Sequence, residues 1–282
     1  MKAVATKPVR GAPEGRGLRL GLGPLIVGLF LVMAVWGPLL APYDAGQIDL
    51  DRIFDQPSWV HPLGTADNGV DILSTVLHGA RLSAQIAFAS VGISFVVGCL
   101  LGVLAGYRGG WVDHCVTGVC DLVQAFPAIV LNISIMALSS DQSILHVVVA
   151  LSAGGWVLFA RLARAQTLVL REMEFVMAVQ ALGGSQWRTL FGHILPNLLG
   201  PLVVQASSAL GMAVLAESTL SFLGLGPGRK ASWGALLEEG SAVLLRFPHV
   251  ALIAGGVIAV TVWGFNWAGD SFRDWLDPTA PK

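Results

Sequence analysis

Unbroken apolar runs of about twenty residues constrain this chain more than any other feature of its sequence. The first, LGLGPLIVGLFLVMAVWGPLL, follows a polar, basic stretch. A helix of about 20 apolar residues crosses the hydrocarbon core of a bilayer and satisfies its own backbone hydrogen bonds. The sequence therefore predicts an all-α polytopic membrane protein with about six transmembrane helices, at 21–40, 82–106, 117–138, 144–166, 198–220 and 248–268.

The composition favours the same class of protein. The 282 residues are 54% hydrophobic and only 12% charged. A soluble domain usually carries about 25% charged residues. The strands of a membrane barrel would alternate apolar and polar residues over about ten positions. The runs in this chain are continuous, so the sequence indicates transmembrane helices.

The basic N-terminal stretch allows two interpretations of the first apolar run. A basic region before an apolar core is typical of a signal peptide. This run is too long for such a core, and the WGPLLAPYDA that follows shows no clear cleavage site. We therefore expect an uncleaved helix at 21–40, preceded by a basic tail at 1–20 and followed by a polar segment at 41–81.

Lysine and arginine side chains predict the orientation of the chain. If the N-terminus lies in the cytoplasm, the inner loops and tails hold twelve of the 17 basic residues and the outer loops hold five. The positive-inside rule therefore predicts that both termini are cytoplasmic, including the C-terminal tail at 271–282. The loop between the fourth and fifth runs then also faces the cytoplasm.

Three glycines in the second run, GCLLGVLAG, fall on one helix face. Gly98, Gly102 and Gly106 recur at i, i+4 and i+8. Small residues at this spacing let two helix backbones approach closely in lipid. We expect them to be helix-packing residues and the runs to form a bundle.

The loop FVMAVQALGGSQWRTLFGHILPN separates the fourth and fifth runs. A helix is predicted from Glu174, with Gly183 and Gly184 as its stop and Ser185 as the N-cap of a second helix. Pro196 is expected to end that second helix. Apolar residues of the second helix recur at i, i+3, i+4 and i+7, and they are Trp187, Leu190, Phe191 and Ile194. Such a stripe enters a partner's groove, lies on a membrane, or packs against the protein's own inner face.

This loop resembles the EAA loop of ABC-importer permeases, whose pattern is E-A-A, three residues, Gly, nine residues, I-x-L-P. The residues that fit the pattern are Ala178, Gly183, Leu195 and Pro196. The residues that depart from it are Met177, Val179 and His193.

Further segments resemble the peptide and nickel branch of the same family. They are HPLGTADNGVDILSTVLHGARLS, GYRGGWVD, AESTLSFLGLG and NWAGDSFRDWLDP, and they run in order from His61 to Pro278. In the first, Val70 replaces the usual arginine and the usual first aspartate is displaced to Asp67. The chain is similar to the C-type permease subunit of dipeptide, oligopeptide and nickel importers.

The resemblance implies an ABC type I importer permease fold in the inner membrane of a prokaryote. The permease core would span 82–270, with a cytoplasmic coupling loop at 167–197 that docks on a separate ATPase. The residues that the resemblance and the stripe assign to coupling are Glu174, Ala178, Gly183, Gly184, Trp187, Leu190, Phe191, Leu195 and Pro196.

The resemblance also implies partners. Two ABC ATPase subunits would bind ATP and Mg, so this chain would bind no cofactor and would not itself be an enzyme. A second homologous permease would complete the path through the membrane lipid. An extracytoplasmic binding protein would deliver short peptides, with nickel or another small solute as the alternative cargo.

Charged residues near the membrane allow more than one interpretation. Glu217 lies near the outer end of the fifth run, where a carboxylate should face the bundle interior or water. It either lines or gates the translocation path, or it makes a contact at the outer boundary. Arg161 and Arg164, at the inner end of the fourth run, are expected to reach toward lipid headgroups.

The outer residues His61, Asp67 and Asp71 are types that can bind metal. The resemblance favours a structured outer loop that receives a binding protein, because this segment occurs in the family whatever the cargo.

Catalytic and phosphate-binding motifs are absent from the sequence. It contains no G-x-x-x-x-G-K-[ST], no H-E-x-x-H and no G-x-S-x-G, and nothing suggests nucleic-acid binding. A membrane-embedded hydrolase is therefore disfavoured. A secondary transporter or channel is the other class, although such proteins usually carry mid-membrane charges that are nearly absent here.

Overall fold

The computed structural model describes residues 16–138, 142–227 and 231–276, and within them it is helical with no strand. The helices are α1 Arg16–Leu40, α2 Ile72–Arg108, α3 Gly110–Gln124, α4 Ala128–Ala137, α5 Ile144–Leu170, α6 Glu174–Ala181, α7 Gln186–Thr189, α8 Leu195–Phe222, α9 Trp233–Ala242 and α10 Pro248–Leu276. The predicted all-α fold is confirmed. Most of the predicted basic tail and the last six residues lie outside the described ranges.

Five helices are long and apolar enough to cross a membrane, and α3 with α4 forms a sixth span if the pair is counted as one. The sequence predicted one straight span at 117–138. The structure instead has two helices that bend by 82° at a short break. Pro127 occupies that break with an extended ψ of 131°, because proline has no N–H for the preceding turn and disfavours a helical residue before it.

The two ends of the bundle are named here by what they carry. The loop end carries residues 171–194, between α5 and α8, and the distal end carries residues 41–71 and α9. Helix α2 packs along α5, whereas α1 and α8 both pack against α10. Near the distal end, Phe30 of α1 makes edge-to-face contacts with Trp233 of α9, at 6.0 Å between ring centroids, and with Phe265 of α10, at 5.4 Å.

The three predicted glycines of α2 all lie against α5. A Cβ atom built on Gly98 would lie 2.6 Å from the Cβ of Phe159, and one on Gly102 would lie 2.9 Å from the Cβ of Ala163. One on Gly106 would lie 2.8 Å from the carbonyl oxygen of Arg164. Any side chain at these positions would push the two helices apart.

Helix α2 begins ten residues before the predicted span. It has 37 residues, which makes it about 55 Å long. Asp71 caps it, because its carboxylate accepts a hydrogen bond of 2.8 Å from the backbone N–H of Ser74. Residues 72–81 are therefore helical, not part of a polar loop, and these nearly three turns extend α2 at the distal end. Helix α10 likewise continues beyond its predicted end at 268.

The remaining distal segment, residues 41–71, is folded by its own polar contacts. Nδ1 of His61 lies 2.9 Å from a carboxylate oxygen of Asp71, and both side chains are buried. The ring of Tyr43 stacks on His61 with centroids 4.9 Å apart. Across the described residues, no three His, Cys, Asp or Glu side chains are grouped as metal ligands. His61 and Asp71 bind each other.

Candidate functional site

Two glycines shape the turn between α6 and α7, each for a different reason. Gly183 has φ of +80°, a left-handed conformation that suits glycine at a helix end. Gly184 donates to the carbonyl of Val179 at 2.9 Å. A Cβ on Gly184 would lie 2.6 Å from Val179 Cγ1. The turn therefore needs backbone freedom at the first glycine and space at the second.

The segment after the turn is one helix with a π turn inside it. Ser185 caps its start by accepting from the N–H of Arg188 at 3.3 Å. The chain is then helical without a break from Gln186 to Phe222, so the prediction that Pro196 ends the helix is wrong. Over Leu190–Ile194 the hydrogen bonds shift register, with Leu195 donating to the carbonyl of Leu190. This wider turn accommodates Pro196, which cannot donate.

The predicted apolar stripe splits into two faces. Trp187 is 69% exposed and Phe191 54% exposed, and their rings stack at 5.6 Å between centroids. Leu190 packs half-buried against the core of the bundle, and Ile194 is fully buried. The register shift helps to explain the split, because a π turn changes which residues share a face.

The other residues predicted for coupling also divide by exposure. Glu174, Ala178, Gly183 and Pro196 are exposed, Gly184 is half-buried, and Leu195 packs against the core. Sequence reasoning missed several large apolar side chains that the same loop exposes, namely Met173, Phe175, Met177 and Leu182. Phe175 and Met177 lie in α6, and Met173 and Leu182 flank it, so the signal was a run of apolar residues in and beside a short helix. Exposed apolar surface of this kind occurs where a protein meets another protein or a membrane.

Arginines of α5 fix neighbouring helices to the segment that enters the loop. Arg164 makes a two-pronged ion pair with Asp113 of α3, with Nη2 at 2.6 Å from Oδ2. Arg161 pairs with Asp121. Each of these two side chains thus has a carboxylate partner within the protein, and their reach toward lipid headgroups stays a prediction. Arg171 donates to the carbonyl of Gly106 at 2.9 Å and so joins the end of α2.

Glu217 lies inside the protein near the distal end of α8, with 0% of its surface exposed. Its carboxylate accepts hydrogen bonds from Ser83 of α2 and Ser221 of α8, both at 2.8 Å. It also accepts one from Ser232, just before α9, at 3.1 Å. A role on a translocation path stays a prediction for this residue.

A cavity of about 830 Å³ opens at the distal end. Its wall includes Ser221, Phe222, Ser232, Leu236, Glu238 and Glu239. Burial raises the pKa of Glu239 to about 7, with smaller contributions from the charges of Asp67 and Glu238. The cavity is thus lined by carboxyl groups, one of which titrates near neutral pH.

These observations describe a helix bundle with an exposed apolar loop at one end and an acidic cavity at the other. Residues 98–280 match the model of the binding-protein-dependent transport system inner membrane component family. The chain belongs to this family. The resemblance seen in its motifs is confirmed, and this permease family accounts for the membrane-spanning bundle.

Curated relatives cover nearly the whole chain. The glutathione transport system permease protein GsiD of Pectobacterium atrosepticum is 40% identical over 90% of this chain and 85% of its own length. The dipeptide transport system permease protein DppC of Alkalihalophilus pseudofirmus is 37% identical over 91% and 84%. The oligopeptide transport system permease protein OppC of Bacillus subtilis is 34% identical over 93% and 86%.

Solved structures share the fold at lower identity. An inward-facing conformation of the MetNI methionine ABC transporter matches with a TM-score of 0.60 and 20% identity, over 72% of this permease and 96% of that chain. An amino acid ABC transporter matches with a TM-score of 0.55 and 13% identity, over 72% and 94%. The fold is therefore that of ABC importer permeases.

Proposed function

We propose that this chain is a permease subunit of an ATP-driven importer of short peptides, and that it forms the path together with a second, homologous permease. The peptide cargo is supported by the names of the relatives, which are glutathione, dipeptide and oligopeptide permeases. These cargoes share amide-linked amino acids. An extracytoplasmic binding protein delivers them, in keeping with the family description.

The observation that carries the coupling role is the exposed Trp187–Phe191 stack on a helix that is continuous with α8. Aromatic side chains that are exposed in the free protein and sit on a rigid helix are the residues that anchor a protein partner. The partner is an ABC ATPase subunit, one for each permease, and it binds ATP and Mg. This chain transmits the movement of the partner to its membrane-spanning helices, and the partner hydrolyses ATP.

The orientation follows from the same role. The loop end and both termini face the cytoplasm of a prokaryotic cell, where the ATPases bind ATP. The distal end faces outward and meets the binding protein. The excess of basic residues in the predicted inner segments supports this orientation.

Subunit composition tests the assembly. The complex is purified from native membranes in mild detergent and analysed by mass spectrometry. A second permease and ABC ATPase subunits are the expected partners. If this chain is found alone or only with copies of itself, the importer proposal fails and a secondary transporter takes first place.

Transport by the same complex tests the cargo. The complex is reconstituted in proteoliposomes with its binding protein, and uptake of a labelled dipeptide is measured with ATP or with a non-hydrolysable analogue. Uptake is expected only with ATP, and unlabelled di- and tripeptides should compete while nickel ions should not. If nickel ions compete and unlabelled peptides do not, the cargo is a metal ion and the proposal of peptide cargo fails.

A further inference from the structure

Glu217 connects three segments of the distal end. Ser83 of α2 donates to one carboxylate oxygen, while Ser221 of α8 and Ser232 donate to the other. All three serines are buried, with exposures of 0%, 6% and 3%. The carboxylate thus uses both oxygens to join α2, α8 and the residue that precedes α9.

Ser232 makes this connection part of a helix end. Its hydroxyl oxygen accepts from the N–H of Gly234 at 3.2 Å and so caps α9. The hydroxyl hydrogen of the same group is donated to Glu217. The first turn of α9 is therefore hydrogen-bonded to α8 through one serine.

Close packing holds the same turn from two other sides. Trp233 is fully buried and its Nε1 donates to the carbonyl of Val76 in α2 at 2.9 Å. Its ring lies against Gly79, where a Cβ would be 2.6 Å from Trp233 Cδ1. Gly234 lies so close to α8 that a Cβ there would be 2.7 Å from Ser221 Cβ. The start of α9 is therefore packed between α2 and α8, next to the hydrogen bonds of Glu217.

Helix α9 also forms part of the wall of the distal cavity. Ala235, Leu236, Glu238 and Glu239 of α9 line it, together with Phe222 at the end of α8. A displacement of α9 would change the shape of the cavity. Helix α8, in turn, is continuous with the loop that exposes Trp187. Trp187 lies about 45 Å from Glu217 along this helix.

We propose that Glu217 is a positioning residue that makes α9 move with α8, so that a displacement of the loop reaches the wall of the distal cavity. This inference rests on the proposed function, which supplies the displacement. A rigid helix transmits such a movement along its length. Glu217 acts through its hydrogen bonds and does not contact the cargo.

This role has a chemical consequence that distinguishes it from a charge on the path. Glutamine has the same shape as glutamate, and its amide oxygen can accept from two of the serines. Its NH₂ group can donate to the third, because a serine hydroxyl accepts as well as donates. Glu217→Gln therefore keeps the connection, whereas Glu217→Ala leaves three buried hydroxyls without this partner. A charge that met cargo or an ion would be lost in both variants.

Hydrogen exchange tests the connection in the full chain, independently of any transport. Wild type, Glu217→Gln, Glu217→Ala and Ser232→Ala are compared in lipid nanodiscs, at the amides of residues 237–242. The control is Ser241→Ala, since this exposed serine of α9 donates within its own helix, to the carbonyl of Glu238. Exchange should be about tenfold faster or more in Glu217→Ala and Ser232→Ala, and within about threefold of wild type in the other two. Wild-type exchange in both alanine variants would overturn the proposal.

Coupling is then measured in the reconstituted complex as peptide taken up per ATP hydrolysed. Glu217→Ala and Ser232→Ala should lower this ratio about fivefold or more, and Glu217→Gln should restore most of it. Ser232→Ala keeps the carboxylate of Glu217, so this variant tests the connection if Glu217→Ala does not fold. The proposal is overturned if Glu217→Gln is as impaired as Glu217→Ala while Ser232→Ala transports normally. A wild-type complex without ATP-dependent uptake would instead refute the proposed function, and the exchange result would stand.

Discussion

The loop end and the distal end of the bundle are built in opposite ways. At the loop end, Trp187 is 69% exposed and its ring stacks on Phe191, which is itself exposed. At the distal end, Trp233 is fully buried and its indole N–H donates to the backbone of α2. Trp187 therefore stays exposed in this chain, whereas Trp233 is packed within it.

Under the proposed function, this difference separates the end of the chain that binds another subunit from the end that is complete in itself. A buried tryptophan with its N–H satisfied contributes to the stability of the free protein. An exposed pair of aromatic side chains contributes little until a partner covers it. Changes at the distal end and in the bundle should therefore lower stability, while changes at the loop end should lower binding and leave the free chain intact.

The largest effect is expected where the bundle is closest packed. Gly102→Val would place a branched side chain against the backbone of Ala160, and overpacking of this kind costs about 1–3 kcal/mol and occasionally more. The yield of folded protein, measured by size-exclusion chromatography in detergent, and the thermal midpoint of unfolding should both fall sharply. Gly92→Val is the matched control on the same helix, because no neighbouring helix among the described residues comes within 4 Å of a Cβ there. Equal losses in the two variants would show that the seam between α2 and α5 is not responsible.

The next largest effect should be on partner binding. The double variant Trp187→Ser with Phe191→Ser should weaken binding of the ATPase subunit at least about 30-fold, since each buried aromatic anchor is worth about 2 kcal/mol. The thermal midpoint of the isolated chain should stay within about 2 °C of wild type, because both side chains are exposed. Binding is measured by microscale thermophoresis with the purified ATPase.

Trp111→Ser is the control for that double variant. Trp111 is also strongly exposed, at 77%, but it lies on α3 outside the loop. ATPase binding should be unchanged in it. If the double variant binds as tightly as wild type, Trp187 and Phe191 are not the contact with the ATPase.

A smaller effect is expected at the glycine turn. Gly183→Ala should weaken ATPase binding about threefold to tenfold, because an alanine at φ of +80° costs about 1–2 kcal/mol and the turn would relax. Gly192→Ala is matched to it, since both glycines have open space around the position of a Cβ but only Gly183 has positive φ. Gly192→Ala should bind normally. Similar binding by both variants would show that the turn geometry does not matter for docking.

Local features of the site could be predicted from the sequence, because they depend on residues close together in the chain. The spacing of Gly98, Gly102 and Gly106 predicts a packing face, and Gly183 with Ser185 predicts a turn followed by a cap. These follow from helix period and backbone preference. The apolar runs likewise predict the spans, since hydropathy over about 20 residues decides membrane insertion.

The rest depends on residues that only the fold brings together. Arg164 meets Asp113 across 51 positions, and Ser83 meets Glu217 across 134. No local pattern identifies such partners. The sequence alone therefore predicts a lipid headgroup contact for Arg164, and for Glu217 it leaves open a role on the translocation path or a contact at the outer boundary. The continuity of the helix past Pro196 depends on a π turn, which the sequence of Leu190–Ile194 does not reveal.

The effect expected from Glu239 is on the pH dependence of stability. Its pKa is raised in the folded protein from the ordinary 4.5 to about 7. The folded state therefore binds more protons than the unfolded state between these values, and stability falls as pH rises through this window. The carboxyl group is partly exposed, so the loss is about 1–3 kcal/mol.

Glu239→Gln removes the titrating group and should raise the thermal midpoint at pH 8 while changing it little at pH 5. Glu174→Gln is the control at the opposite end of α8, where the carboxylate is exposed on the loop. It should leave the pH profile of the midpoint unchanged. A Glu239→Gln profile parallel to wild type would mean that the folded distal cavity does not favour the protonated carboxyl group. The two ends would then differ in packing alone.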